Sequence, residues 1–357
     1  MLAAIDDAIG DGVHILSISI GSVGTPPKYS EDGIALGALH AAKHGIVVSC
    51  SGGNSGPALA TVSNLAPWMI TVAASSIDRA FDSAILLGNG MTIKGQTVTP
   101  YKLKGNELYP LVYAGDAVVP GTPSNVTGQC LPNSLSPKKV RGKIVLCLRG
   151  SGLRTAKGLE VKRAGGAAII LGNAPANGNE IPVDGHVLPG SAVSSDDAIA
   201  ILKYINSTRR PSATIGRART TLDVSPAPVM TAFSSRGPNL VEPNILKPDI
   251  TAPGLNILAA WSESSSPTKL EDDHRSVAYN LLSGTSMSCP HVSATATLLK
   301  SMHPNWSSAA IRSAMMTTAS LGLECAIVLL KRRMQRGGLE KRIAEGQNSF
   351  VLVKWIP

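Results

Sequence analysis

Ser286 lies in the run GTSMSCPHVSA, residues 284–294, where a Gly-Thr pair leads into small and apolar residues that read as a helix. A serine hydroxyl becomes a nucleophile only when a base takes its proton and donors hold the oxyanion that follows. A helix N-terminus meets the second need, because its first N–H groups have no intrahelical partner and the dipole is positive there. Pro290 is tolerated in a first turn and marks the helix start. Gly284 lets another segment come close. Asn54, in the turn SGGNSGP of 51–57, carries an amide able to donate to such an oxyanion. On residue type alone two plainer roles stay open: Ser286 as an incidental polar residue at a helix start, and Asn54 as a turn former in a left-handed conformation.

The elements that must position these groups are legible as alternating runs. Residues 2–9 read as the end of an amphipathic helix stopped by Gly10 and Gly12, followed by the apolar, β-branched strand VHILSISIG. A helix over 31–43 leads through His44-Gly45 into the strand IVVSC, and WMITVAAS forms the next. Strands alternating with helices imply parallel pairing through right-handed crossovers, hence an α/β layered parallel sheet with helices on both faces. From about 100 to 220 the texture changes to short strands between turns, YPLVYAG, GKIVLCLRG, AAIILGN and IPVDGHVLP, with helical pieces near 156–164 and 195–207. The first texture returns in MTAFSSRGPN and ILKPDITAPG, so the β-rich module is expected to be inserted rather than appended. The expected divisions are therefore 1–99, 100–220, 221–320 and an atypical basic tail, 321–357.

Composition narrows the function classes. Aromatic residues are 4% and charged residues 16% of the 357, with 35 glycines and 24 prolines, as in a turn-rich α/β protein with an ample core. The net charge of +9 is scattered except in KRRMQRGGLEKR of the tail, which has no stacking aromatics, so no nucleic-acid partner is expected. No apolar run reaches the roughly 20 residues needed to span a bilayer, and MLAAIDDAIGDG makes a poor signal peptide because Asp6 and Asp7 interrupt it. The five cysteines show no zinc-ligand spacing and no carboxylate cluster resembles a calcium loop, so neither a metal nor a cofactor is expected. Asn125, Asn206 and Asn305 begin glycosylation triplets, which count only in the secretory pathway.

GTSMSCPH, SCSGGNSGP, ILSISIG and FSSRGPN, in that order, resemble the motifs of subtilisin-like serine proteases, specifically the plant subtilases, over roughly residues 2–320. The resemblance implies that Ser286 is the nucleophile, and that Asn54 and the Ser286 N–H form the oxyanion hole. It implies that Ser19, Ile20 and Gly21 pair with extended substrate backbone, while Ser51, Gly52 and Gly53 wall the pocket for the residue preceding the scissile bond. The reaction implied is hydrolysis of a peptide bond in a protein or peptide substrate through an acyl-enzyme. The β-rich module resembles the family's inserted protease-associated (PA) domain, which in relatives is associated with substrate access or dimer contacts, so a homodimer through it is expected. Cys130 and Cys147 fall within it, and their nearness in sequence suggests a disulfide in an oxidising compartment. The family implies an extracellular location, apoplast or cell wall.

The sequence also departs from the pattern. The family's Asp and His lie in DTG-like and HGTH-like motifs that occur nowhere in these 357 residues. His291 falls about 140° around the helix from Ser286. Asp184 and His186, in VDGHVLP, would lie on one side of a strand but belong to the PA-like module. The chain is expected to be truncated at both ends and inactive as it stands. The alternative is a noncatalytic peptide-binding or PA-domain interaction protein.

Overall fold

The structure, a computed structural model, describes residues 1–105 and 107–319. The tail 321–357, with its basic cluster and Cys325, lies outside the described residues. Contacts divide the chain into two compact units, one of 1–77, 225–255 and 284 onward, the other of 78–224 and 256–283. Residues 100–220, expected as an insert, all fall in the second unit, together with 78–99 and 256–283.

The first unit is built on four strands, β1 (Ile15–Ile18), β2 (Val47–Ser51), β3 (Ile70–Ser75) and β4 (Ile250–Pro253), hydrogen-bonded in that order. Every pair is parallel, with Ile15 opposite Val47, Ser49 opposite Ile70 and Val72 opposite Ile250. Its helices are α1 (Leu2–Gly10), α2 (Gly33–Lys43), α3 (Thr285–Met302) and α4 (Ser308–Thr318). All residues of β2 and β3 are buried, and alternation divides their side chains between two cores. Val48 and Cys50 meet Ile34, Ala38 and Ala41 of α2, whereas Val47, Ile70 and Val72 meet Val292 and Ala296 of α3 and Ile311 and Met315 of α4. The layered parallel sheet with helices on both faces is thus present.

Local chemistry explains the helix limits. The Asp32 carboxylate accepts from Ile34 N at 2.8 Å and caps α2, and Gly45, at φ 73°, turns the chain toward β2. Gly37 lets α1 settle on α2, since a Cβ there would lie 2.6 Å from Ile5 Cδ1.

In the second unit, strands at 109–113, 144–148, 168–172 and 190–193 run parallel, and short strands at 80–82, 85–87, 92–93, 95–96, 212–215 and 219–221 extend this sheet. Helices Arg154–Arg163 and Ser195–Ser207 accompany it, the second capped by Ser194, whose hydroxyl accepts from Asp197 N at 3.1 Å. Ile257–Ala260 and Tyr279–Leu282 form a separate antiparallel pair. Cys130 and Cys147 are joined by a disulfide that ties the loop before strand 144–148 to that strand.

One expected strand is absent. IPVDGHVLP at 181–189 is not a strand, and pairing begins only at Gly190. Pro182 has no N–H to give a ladder, and the segment is held by side chains instead: Asn256 Oδ1 accepts from Val183 N at 2.9 Å, and Arg275 donates to Gly185 O at 2.6 Å.

Candidate active site

All eight expected site residues belong to the first unit. Thr285 opens α3, so Pro290, expected to mark the helix start, lies inside the helix instead. The cap for the Thr285 N–H comes from a distant segment, because Asn54 Oδ1 accepts from Thr285 N at 2.9 Å and from Thr285 Oγ1 at 3.0 Å. Thr285 Oγ1 in turn accepts from Gly53 N at 3.1 Å. A backbone N–H can only donate, so the Asn54 atom it meets is the carbonyl oxygen. The Nδ2 group is therefore left to donate, beside Gly284, where a Cβ would lie 3.4 Å from it. Ser286 N–H, one residue further, is in the first turn of α3, where N–H groups have no intrahelical acceptor.

Ser286 is half-buried, and its hydroxyl donates to Ser19 O at 3.3 Å, while Ser19 Oγ donates to Ser286 O at 2.9 Å. This reciprocal pair fixes the Ser19–Gly21 segment against the start of α3. On the other flank, Ser51 ends β2 and leads into Gly52 and Gly53. A Cβ on Gly52 would stand 3.0 Å from Val72 O, and one on Gly53 would stand 2.8 Å from Ser235 Oγ, with φ already at 100°. Gly52 answers to the backbone packed against it, and Gly53 to its left-handed φ and the Ser235 hydroxyl beside it. The arrangement brings one hydroxyl, one turned-out amide and two extended segments to the C-terminal ends of β1 and β2.

None of the seven histidines bonds Ser286 among the described residues. His291 Nδ1 meets Met287 O at 2.7 Å, His40 stands 3.7 Å from Asp6, and His303 stacks on Trp306 with centroids 4.0 Å apart. The sequence pairing of Asp184 with His186 is not made either: Asp184 accepts from Arg154 at 2.6 and 2.9 Å, and His186 Nδ1 is buried with no partner among the described residues. Burial pushes the His186 imidazole below its ordinary value, with Arg154 and Arg275 adding to the shift and Asp184 opposing it. The unfolded chain therefore binds the proton more readily, so stability falls as pH drops below about 6.5 and continues to fall toward the lower folded value. Thermal melts at pH 7.5 and 5 are expected to show this loss, and His186→Gln is expected to reduce it.

Cys50 and Cys289 are free and buried; burial pushes the Cys50 thiol well up, and Cys289 Sγ donates to Ser49 O at 3.3 Å. Both behave as packing residues. Asn125, Asn206 and Asn305 are exposed. Among the described residues no group of three or more His, Cys, Asp or Glu is placed to hold a metal, and no helix is long and apolar enough to cross a membrane.

Two residues that sequence reasoning passed over take part in the site. Thr285 lies within the quoted GTS, but nothing in its type reveals that it orients Asn54. Asn64, in TVSNLAP, reads as a turn residue, yet its side chain reaches both extended segments.

Residues 1–346 match the model of the subtilase family, further than the 320 at which the motif resemblance was expected to stop. The chain belongs to the subtilase family. This subtilase is 60% identical over 319 residues to subtilisin-like protease SBT5.6 of Arabidopsis thaliana, covering 89% of this chain and 40% of the relative. It is 56% identical over 324 residues to SBT5.5 of the same plant, covering 90% and 40%. The chain thus spans about 40% of the length of these relatives. Among solved structures it is similar to the psychrophilic subtilisin-like protease Apa1 of Pseudoalteromonas sp. AS-11, with a TM-score of 0.34 and 18% identity, covering 90% of this chain and 67% of that one.

Proposed function

We propose that this chain carries the nucleophile, oxyanion site and substrate-binding segments of a serine endopeptidase. The observation that carries the reading is the Asn54 amide, turned by Thr285 so that its NH₂ is free to donate beside the N-terminus on which Ser286 sits. Ser286 Oγ attacks the peptide carbonyl and gives its proton to a base. The resulting oxyanion is held by Asn54 Nδ2 and Ser286 N–H, the amine leaves with the proton, and water releases the acyl group. The substrate lies as an added strand along Ser19–Gly21, with the residue preceding the scissile bond against Ser51–Gly53.

The base is the missing part, since the hydroxyl of Ser286 is turned to Ser19 O and no histidine bonds it among the described residues. A base in this reading comes from outside these 357 residues, as the family's Asp and His motifs would supply it. That same observation favours a second reading, in which the chain by itself is inactive and serves as a peptide-binding protein. Residues 100–220 are read as a PA domain that binds partners or a second copy of the chain. Secretion to the apoplast or cell wall, with glycans on Asn125, Asn206 and Asn305, accompanies either reading.

A fluorophosphonate probe separates the two. Labelling of the folded chain that disappears in Ser286→Ala supports an activated serine. Peptide binding without labelling supports the binding protein.

A further inference from the structure

Asn64 is 4% exposed and holds φ at 56°, a conformation open to Asn and Gly and costly for most other residues. Its Nδ2 donates to Ile20 O at 2.8 Å and to Ser51 O at 2.8 Å, so both amide hydrogens are used and each goes to a different substrate-binding segment. Its own carbonyl accepts from Thr71 Oγ1 at 2.6 Å, and Thr71 N donates to Asp249 Oδ2 at 2.7 Å, which anchors the residue on β3. The preceding residue works with it. Ser63 N donates to Gly52 O at 3.0 Å, and the Ser63 hydroxyl, buried with no partner among the described residues, occupies the space where side chains on Gly21 and Gly53 would begin, 2.6 and 3.2 Å away.

Few groups can do this. Two backbone carbonyls need two neutral N–H donors on one atom, which a carboxylate lacks and an ammonium supplies only with a buried charge. The left-handed backbone then selects asparagine over glutamine.

Resting on the peptidase reading above, we propose that Asn64 is a positioning residue that sets the separation of Ser19–Gly21 from Ser51–Gly53, and through it the grip on the peptide residue preceding the scissile bond. It acts through the Ile20 and Ser51 carbonyls and does not touch the peptide.

The test uses the full chain, a fluorescein-labelled octapeptide amide rich in valine and threonine, and fluorescence anisotropy, with thermal melts alongside. Asn64→Gly keeps the backbone conformation and loses both donors; Asn64→Asp keeps the shape and sets a carboxylate against two carbonyls. Both are expected to weaken peptide binding tenfold or more while still melting cooperatively. Thr71→Val, which deletes a buried hydrogen bond to the same residue but leaves the amide in place, is expected to change affinity less than twofold. Unchanged affinity in folded Asn64→Gly and Asn64→Asp overturns the assignment and leaves the peptidase reading intact. Loss of a cooperative melt in both makes Asn64 a general stability residue and likewise overturns it. Absence of peptide binding by the unsubstituted chain overturns the reading and the assignment together.

Discussion

Grafted into SBT5.6 in place of the 319 residues it matches, this segment is expected to support peptide hydrolysis that Ser286→Ala lowers by roughly 10⁶ in kcat. That magnitude is the one measured for the serine of subtilisin itself, where nucleophile and base act as a unit. Asn54→Ala in the same graft is expected to lower kcat by roughly 10² to 10³, with KM little changed, because in the proposed reaction its amide binds charge that exists only in the transition state. Thr285→Val is the informative companion. It keeps the backbone N–H bond to Oδ1 and removes the hydroxyl that donates to the same oxygen and accepts from Gly53 N, so a smaller loss of the same kind is expected. Steady-state kinetics on one peptide substrate decides all three. A graft that hydrolyses peptides equally well with Ser286→Ala would remove the nucleophile from the proposal.

Asp249→Ala is expected to destabilise the first unit by about 3 to 5 kcal/mol, the range found when one partner of a buried ion pair is deleted. Lys247 Nζ donates to Asp249 Oδ2 at 2.6 Å and to Met69 O at 2.8 Å, and its side chain is 0% exposed. Burial already pushes the Lys247 ammonium below its ordinary value, with Asp249 the main opposing influence. Without the carboxylate the lysine keeps one carbonyl, and Thr71 N loses its acceptor. The double variant Lys247→Met, Asp249→Leu removes the buried charge altogether and is expected to recover much of the loss, although Thr71 N remains without a partner. Urea titrations of the three proteins measure both differences.

The first unit was largely readable because its patterns are local. Helix 2–9 and helix 31–43 appear as Leu2–Gly10 and Gly33–Lys43, and the apolar runs became strands because β-branched residues lie between glycine turns. The helix 195–207 likewise spans Ser195–Ser207, its start fixed by Ser194. The segment 181–189 resembles a strand in its alternation of apolar residues, but Pro182 lacks a donor and Asn256 and Arg275 take up the backbone groups of Val183 and Gly185. What the sequence concealed were partnerships across distance. That Thr285 turns the Asn54 amide is a contact across 231 residues, and that Asn64 joins Ile20 to Ser51 depends on the return of β3 alongside β2. The grouping of 256–283 with 78–224 has the same origin, in contacts such as Asn256 with Val183 that no local pattern announces.

The cap on α3 has a consequence in time. Asn54 and Ser19 are synthesised 231 and 267 residues ahead of the groups they meet. At elongation rates of about 5–20 residues per second, roughly 12 to 50 seconds pass between the emergence of the amide and that of the serine. Throughout that interval the ribosome-bound chain holds an unoriented asparagine and no hydroxyl to go with it. The contact between Asn54 and the start of α3 comes into being only when nearly all of the described chain has left the ribosome, so the proposed oxyanion site forms after the sheet around it has been made.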